Sequence, residues 1–177
     1  IRDAFLNTQP AHIRDAAAEN RWRVCFRQLC KRPKLTDGTF KTALNSASAN
    51  GWTHPRYGHI SYWDVSQVTD MNSAFNNIYT FNEDINLWDV SSVTNMKRMF
   101  CASTFNRPLN WDVSSVTNMK GMFSYSPFNQ PLNRWDVSSV TNMKGMFEHT
   151  GYNQPLNRWD VSSVENMRNM FHDATNF

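Results

Sequence analysis

Apolar residues recur along this chain in two registers, and the register changes at regular intervals. Five times the chain spells Trp-Asp-Val-Ser-x-Val-x-x-Met, starting at Trp63, Trp88, Trp111, Trp135 and Trp159, with spacings of 25, 23, 24 and 24 residues. Within each copy Trp and Val alternate with Asp and Ser, the period of two that fits a short strand. The spacing then widens. Val116, Met119, Met122 and Phe123 fall at i, i+3, i+6 and i+7, which predicts a short helical turn entered from a second short strand at Val-Thr-Asn-Met. Phe128 and Leu132 supply the last apolar positions before the next Trp, and Pro108, Pro131 and Pro155 mark a shared corner that cannot donate a ladder bond. A unit of this size cannot bury so many apolar side chains alone, but copies stacked at about 4.8 Å would make a continuous core. The expected fold is therefore a repeat solenoid over residues 60–177, with short parallel strands and short helical turns. It holds five repeats of 23–25 residues, the last incomplete.

Ahead of the repeats the pattern is helical. Over 12–32, Ala17, Trp22, Cys25, Phe26, Leu29 and Cys30 share a broad face, while Arg23, Arg27 and Lys31 run at i, i+4 and i+8 on another. Pro33 stops this helix. A second is predicted from Thr36 as N-cap, with Phe40, Ala43, Leu44 and Ala47 facing inward and Asn50-Gly51 as its stop. A solenoid end exposes apolar core and backbone edges, so residues 1–59 read as a basic, α-helical N-terminal cap. At the other end the fifth unit stops at Phe177 with no polar cap after it. The expectation there is that a continuing chain or a partner protein covers the last coil.

Composition alters this picture in two places. Leu, Ile, Val and Phe number only 36 of 177 residues, near the disordered range, but nine Met and five of the seven Trp fill apolar positions of the repeats instead. Many of the 21 Asn recur at repeat corners (Asn106, Asn129, Asn153 and Asn110, Asn133, Asn157), where stacked amides can bond each other and cap exposed backbone. Charge is divided. Residues 1–59 carry ten Lys and Arg against four acids, and residues 60–177 carry eight against eleven. Lys97, Lys120, Lys144 and Arg168 share one register and form a cationic stripe, a solvated face in the favoured reading and a contact for an acidic protein surface in the other. Arg23, Arg27 and Lys31 are a second candidate contact set, able to meet nucleic acid or anionic lipid, although a solvated helix face is favoured over both. No apolar run reaches the length of a membrane span.

Candidate chemistry is sparse. Three cysteines, Cys25, Cys30 and Cys101, cannot close a disulfide framework among themselves and read as small apolar residues. His12, His54, His59, His149 and His172 are scattered in sequence, and no nucleophile motif, phosphate loop or paired-histidine metal motif is present. The reading is therefore of no catalytic residue, no cofactor and no metal ligand. The column Asp64, Asp89, Asp112, Asp136 and Asp160 raises the question of calcium. One carboxylate per coil supplies few of the six to eight oxygens that calcium takes, so Asx turns are the favoured reading. Pairing with Arg134 and Arg158 is a further expectation.

The repeat wording WDVSSVTNMKGMF followed by FNQPLNRW closely resembles the BspA-like leucine-rich-repeat surface-protein family, and LTDGTF with YGHISYWDVSQVTDM resembles the leader of such arrays. The resemblance covers residues 35–177. It implies a leucine-rich-repeat-like, right-handed coil with non-catalytic use in adhesion and protein–protein contact, often at cell surfaces. The expected function is a protein–protein interaction or scaffold module, an architectural subunit of a larger hetero-oligomeric assembly. The alternatives are a cell-surface adhesin, or an anionic-ligand binder acting through the basic N-terminal helix. The location follows whichever holds: cell surface or secreted by resemblance, or inside a large complex.

Overall fold

A computed structural model describes residues 33–175. The expected helix over 12–32, with Cys25, Cys30, Arg23, Arg27 and Lys31, lies outside the described residues, as does Phe177. From Lys34 onward the chain is one compact unit. Its first element is helix α1, Asp37–Ser48, with Thr36 extended at the N-cap. The Thr36 N–H donates to Thr39 Oγ1 at 2.9 Å, satisfying a donor just ahead of the helix. The face bearing Phe40, Ala43, Leu44 and Ala47 is buried, and the Phe40 ring meets Trp63 and Trp88 edge-on at 6.5 and 5.8 Å. Gly51 (φ 59°) and Trp52 (φ 60°) then turn the chain. Strand β1, Thr53–His54, pairs antiparallel with β2, Gly58–His59, and a 3-10 turn at Ile60–Tyr62 delivers the chain to Trp63. Residues 34–59 share the core of the repeats, so the compact unit begins well ahead of residue 60, where the charge balance changes.

Each repeat is hydrogen-bonded to the next by the same main-chain pattern. Met96, Arg98, Phe100 and Ala102 donate to the carbonyls of Asn118, Lys120, Met122 and Ser124 at 2.8–2.9 Å. In return Thr117 and Asn118 both donate to the Thr94 carbonyl, at 2.9 and 3.3 Å. Equivalent bonds join 71–77 to 95–101, 119–125 to 142–148, and 143–149 to 166–172. Isolated parallel bridges at Asp70, Asn95, Asn118, Asn142 and Asn166 mark this line.

The helical turn expected at Met119–Phe123 does not form, and no α-helix follows α1 among the described residues. Beyond its first turn, an α-helix bonds every N–H within its own segment. Here alternate N–H groups leave for the next repeat, and those between close overlapping turns: Met99 to Met96, Cys101 to Arg98 and Ser103 to Phe100. Apolar residues three apart suit either arrangement, so the pattern alone does not separate them. Exporting alternate N–H groups requires left-handed residues twice per repeat. Ser73, Arg98, Gly121, Gly145 and Asn169 form one such column, and Asn77, Ala102, Tyr125, His149 and Asp173 another, all with φ between 51° and 61°.

The strand expected at Trp-Asp-Val-Ser is likewise replaced by a turn. Val116 N–H bonds to the Val113 carbonyl at 2.9 Å, and Ser114 N–H bonds to Asp112, so these donors are used locally and no ladder is left to build. The inward side chains form continuous columns. Phe75, Phe100, Phe123, Phe147 and Phe171 stack at 5.4–5.8 Å with rings within 11° of parallel. In the fifth repeat the equivalents of the buried Val137 and Met143, namely Val161 and Met167, are 40% and 39% exposed.

Candidate functional site

Three side-chain columns run across the repeats, and they differ in what holds them. In the first, Lys97, Lys120 and Lys144 are half-buried and Arg168 is exposed. Each is fixed by its own backbone. Its N–H donates to the side-chain oxygen of the Asn two residues earlier (Asn95, Asn118, Asn142, Asn166) at 3.1 Å. Its carbonyl accepts from the preceding repeat at 2.8–3.0 Å. The structure thus brings the four cations together on successive repeats. None of them forms an ion pair with a described residue, whereas Lys41, on α1, pairs with Asp70 at 3.6 Å. Arg23, Arg27 and Lys31, the other expected contacts, lie outside the described residues.

The second column is Asp64, Asp89, Asp112, Asp136 and Asp160. The first four each accept the backbone N–H (3.1–3.2 Å) and the hydroxyl (2.6–2.7 Å) of the Ser two residues on. Asp160 accepts the Ser162 N–H at 3.0 Å. The serine hydroxyl first, and its N–H second, hold Asp112, Asp136 and Asp160 below the usual carboxylate range. For Asp136 these bonds outweigh the opposing charge of its neighbours Asp112 and Asp160. Arg134 and Arg158, expected to pair with this column, form no ion pair with a described residue. They line a shallow groove beside Asp136 and Asp160 instead. The Trp column is structural. Trp88, Trp111, Trp135 and Trp159 each donate the indole N–H at 2.9–3.2 Å to a carbonyl 26 to 28 residues earlier, and Trp63 donates to Gly58 at 2.9 Å.

Two groupings were missed by the sequence reading. The first is at Asp37. In later repeats the carbonyl of Thr69, Thr94 or Thr117 accepts two N–H groups and a Thr hydroxyl from the next repeat. Before Thr69 there is no such carbonyl, and the Asp37 carboxylate stands in. It accepts the N–H groups of Thr69 and Asp70 at 2.7 and 3.0 Å and the Thr69 hydroxyl at 2.6 Å. Burial alone would raise the Asp37 pKa, but these hydrogen bonds, with Lys41 nearby, lower it overall.

The second grouping brings together two histidines that are far apart in sequence. His149 and His172 lie on adjacent repeats, with ring centroids 5.6 Å apart. The Asp173 carboxylate is 3.5 Å from His149 Nδ1 and 3.3 Å from His172 Nδ1, and Glu148 is 4.0 Å from His172 Nδ1. Writing the repeats beneath one another would have found it, since Glu148 stands over His172 and His149 over Asp173.

No helix among the described residues is long and apolar enough to cross a membrane. No curated protein matches the chain, and no solved structure matches it. One family model matches twice, over residues 55–127 and 105–177, and together the matches span the repeats. This is a repeat protein, and the chain belongs to the family described as "Mycoplasma protein of unknown function, DUF285".

Proposed function

We propose that residues 60–177 form a right-handed, leucine-rich-repeat-like solenoid closed at its start by α1, and that the protein is a non-catalytic protein–protein interaction module. In this reading it is an architectural subunit of a hetero-oligomeric assembly. The observation that carries it is the column Lys97, Lys120, Lys144 and Arg168. Four cations stand on backbones locked from both sides, without ion-pair partners among the described residues. Cations placed at one register on successive repeats match a complementary acidic surface and fix its register. Parallel bridges at the repeat spacing support the solenoid. The WDVSSVTNMKGMF wording supports a second reading, a BspA-like cell-surface adhesin working through the same face.

The test is affinity capture from native extract with the full chain and with the Lys97→Glu, Lys120→Glu, Lys144→Glu triple variant, after matched melting curves. An acidic protein retained by the parent and lost by the variant is expected. An identical set of retained proteins would sink the reading.

A further inference from the structure

The loops that follow each Met-Phe pair differ from repeat to repeat, and in the fourth and fifth the differences converge. The two positions after the Phe are Asn76-Asn77, Cys101-Ala102, Ser124-Tyr125, Glu148-His149 and His172-Asp173. Only the last two adjacent pairs are composed entirely of imidazole and carboxylate groups. We propose that Glu148, His149, His172 and Asp173 bind one divalent transition-metal ion of the zinc class, stapling the fourth repeat to the fifth. This inference is independent of the partner reading.

Distance supports the site first. Ligand-capable atoms of Glu148, His149 and His172 all lie within 4.8 Å of one another. Asp173 Oδ2 sits 3.5 and 3.3 Å from the two imidazole Nδ1 atoms. Ligands around a tetrahedral zinc ion, bonded at about 2.0–2.2 Å, lie roughly 3.3–3.5 Å apart, the separation at which Asp173 meets both imidazoles, while Glu148, 4.0 Å from His172 Nδ1, has to close in by rotation.

The site is also held in place. His149 N–H donates to the His172 carbonyl at 2.8 Å, which locks the two repeats in register at the ligands themselves. The Tyr125 ring stacks on His149 at 4.4 Å and limits its rotation. Gly145 keeps room for Glu148, since a Cβ there would lie 2.9 Å from Glu148 Oε2. The Glu148 and His149 side chains are only 27% and 33% exposed. Two imidazoles with two carboxylates are donors that suit zinc better than calcium or magnesium, which take all-oxygen sets. Because the ligands come from two repeats, the ion is gripped fully only when the repeats are stacked, and its binding adds to the stability of that contact.

The experiment uses the full chain, titrated with zinc chloride by calorimetry and followed by thermal melting, with cobalt(II) as a spectroscopic probe. The comparison variants are His149→Asn, His172→Gln and Glu148→Gln. Asn is chosen at 149 because it tolerates the left-handed backbone there (φ 53°). One zinc per chain is expected, with a higher melting temperature and a cobalt spectrum lacking thiolate bands. Each histidine variant should weaken binding by at least about tenfold, with the zinc-induced rise in melting temperature, read against each variant's own metal-free melt, lost, and Glu148→Gln giving a smaller loss. Zinc binding of equal strength in both histidine variants would overturn the proposal and move the metal to other ligands, His12, Cys25 and Cys30 among them. Absence of zinc binding to the parent chain would overturn it outright.

Discussion

Removing a single oxygen atom at Tyr152 is expected to make the protein more stable. Phe81, Phe105, Phe128 and Tyr152 form one column of rings, and Tyr152 stacks on Phe128 at 6.4 Å and on Phe147 at 4.1 Å as a phenylalanine would. The residue is fully buried, and its hydroxyl has no hydrogen-bond partner. The Leu132 carbonyl lies close enough to influence the phenol, but it already accepts the Trp159 indole N–H at 2.9 Å, and the hydroxyl reaches it with no ordinary hydrogen-bond geometry. Burial accordingly dominates, and it pushes the phenol far above its ordinary pKa. An unpartnered buried hydroxyl costs about 1–3 kcal/mol. Three neighbouring repeats show that phenylalanine fits without a new cavity. Allowing for the weak attraction to Leu132, Tyr152→Phe should gain about 1 kcal/mol, which is about 2–4 °C in Tm for a chain of this length. Thermal unfolding followed by circular dichroism measures this, and urea unfolding with an unchanged slope would assign the gain to the folded state. An equal or lower Tm for Tyr152→Phe would show that the hydroxyl is satisfied and refute the reasoning.

Two further substitutions probe the core and the start of the ladder. Met119 is completely buried, so Met119→Asp should cost about 5 kcal/mol or more by burying a carboxylate among apolar columns. Lys120→Asp, one residue on, should change stability by less than about 1 kcal/mol, and similar urea midpoints for the two would contradict the stacked core. Asp37→Ala should cost about 1 kcal/mol by removing the charged acceptor of the Thr69 and Asp70 N–H groups, an exposed site where water makes up part of the loss. It should also flatten the acid limb of the stability curve. Asp37, Asp112, Asp136 and Asp160 all have folded-state values below 3.8, so their stabilisation is complete well above that pH and is lost as pH falls through those values. A variant with an acid limb as steep as the parent's would argue against the role given to Asp37.

The inward columns were legible because burial repeats with the sequence. Val116, Met119, Met122, Phe123, Phe128 and Leu132 are all buried, as their spacing indicates. Helix α1 was legible because its cap, inward face and stop are local signals. The turns were not. Whether N–H groups stay within a segment or cross to a neighbour depends on stacking, and side-chain spacing carries no trace of it. The left-handed columns were half hidden for a related reason. Gly121 and Gly145 mark two of the positions, but Arg98, Tyr125 and His149 adopt the same backbone under the grip of the neighbouring repeat. Asp37 was out of reach because its partners lie 32 and 33 residues away, and a carboxylate replacing a peptide carbonyl leaves no motif. The histidine cluster is legible only with the repeats aligned, because His149 and His172 are 23 residues apart and meet through stacking.

The bonds that join neighbouring repeats have a consequence for how such chains change over generations. Six of them run from main chain to main chain, four in one direction and two in the other, and these six are the same at each junction between the described repeats. A junction of that kind is indifferent to which copy lies on either side. Loss or duplication of one whole unit, the usual outcome of misaligned recombination between similar stretches of gene, leaves a seam built like the others. Chain length is therefore free to drift in whole units, while loop residues such as Glu148 and His149 diversify without disturbing the joints.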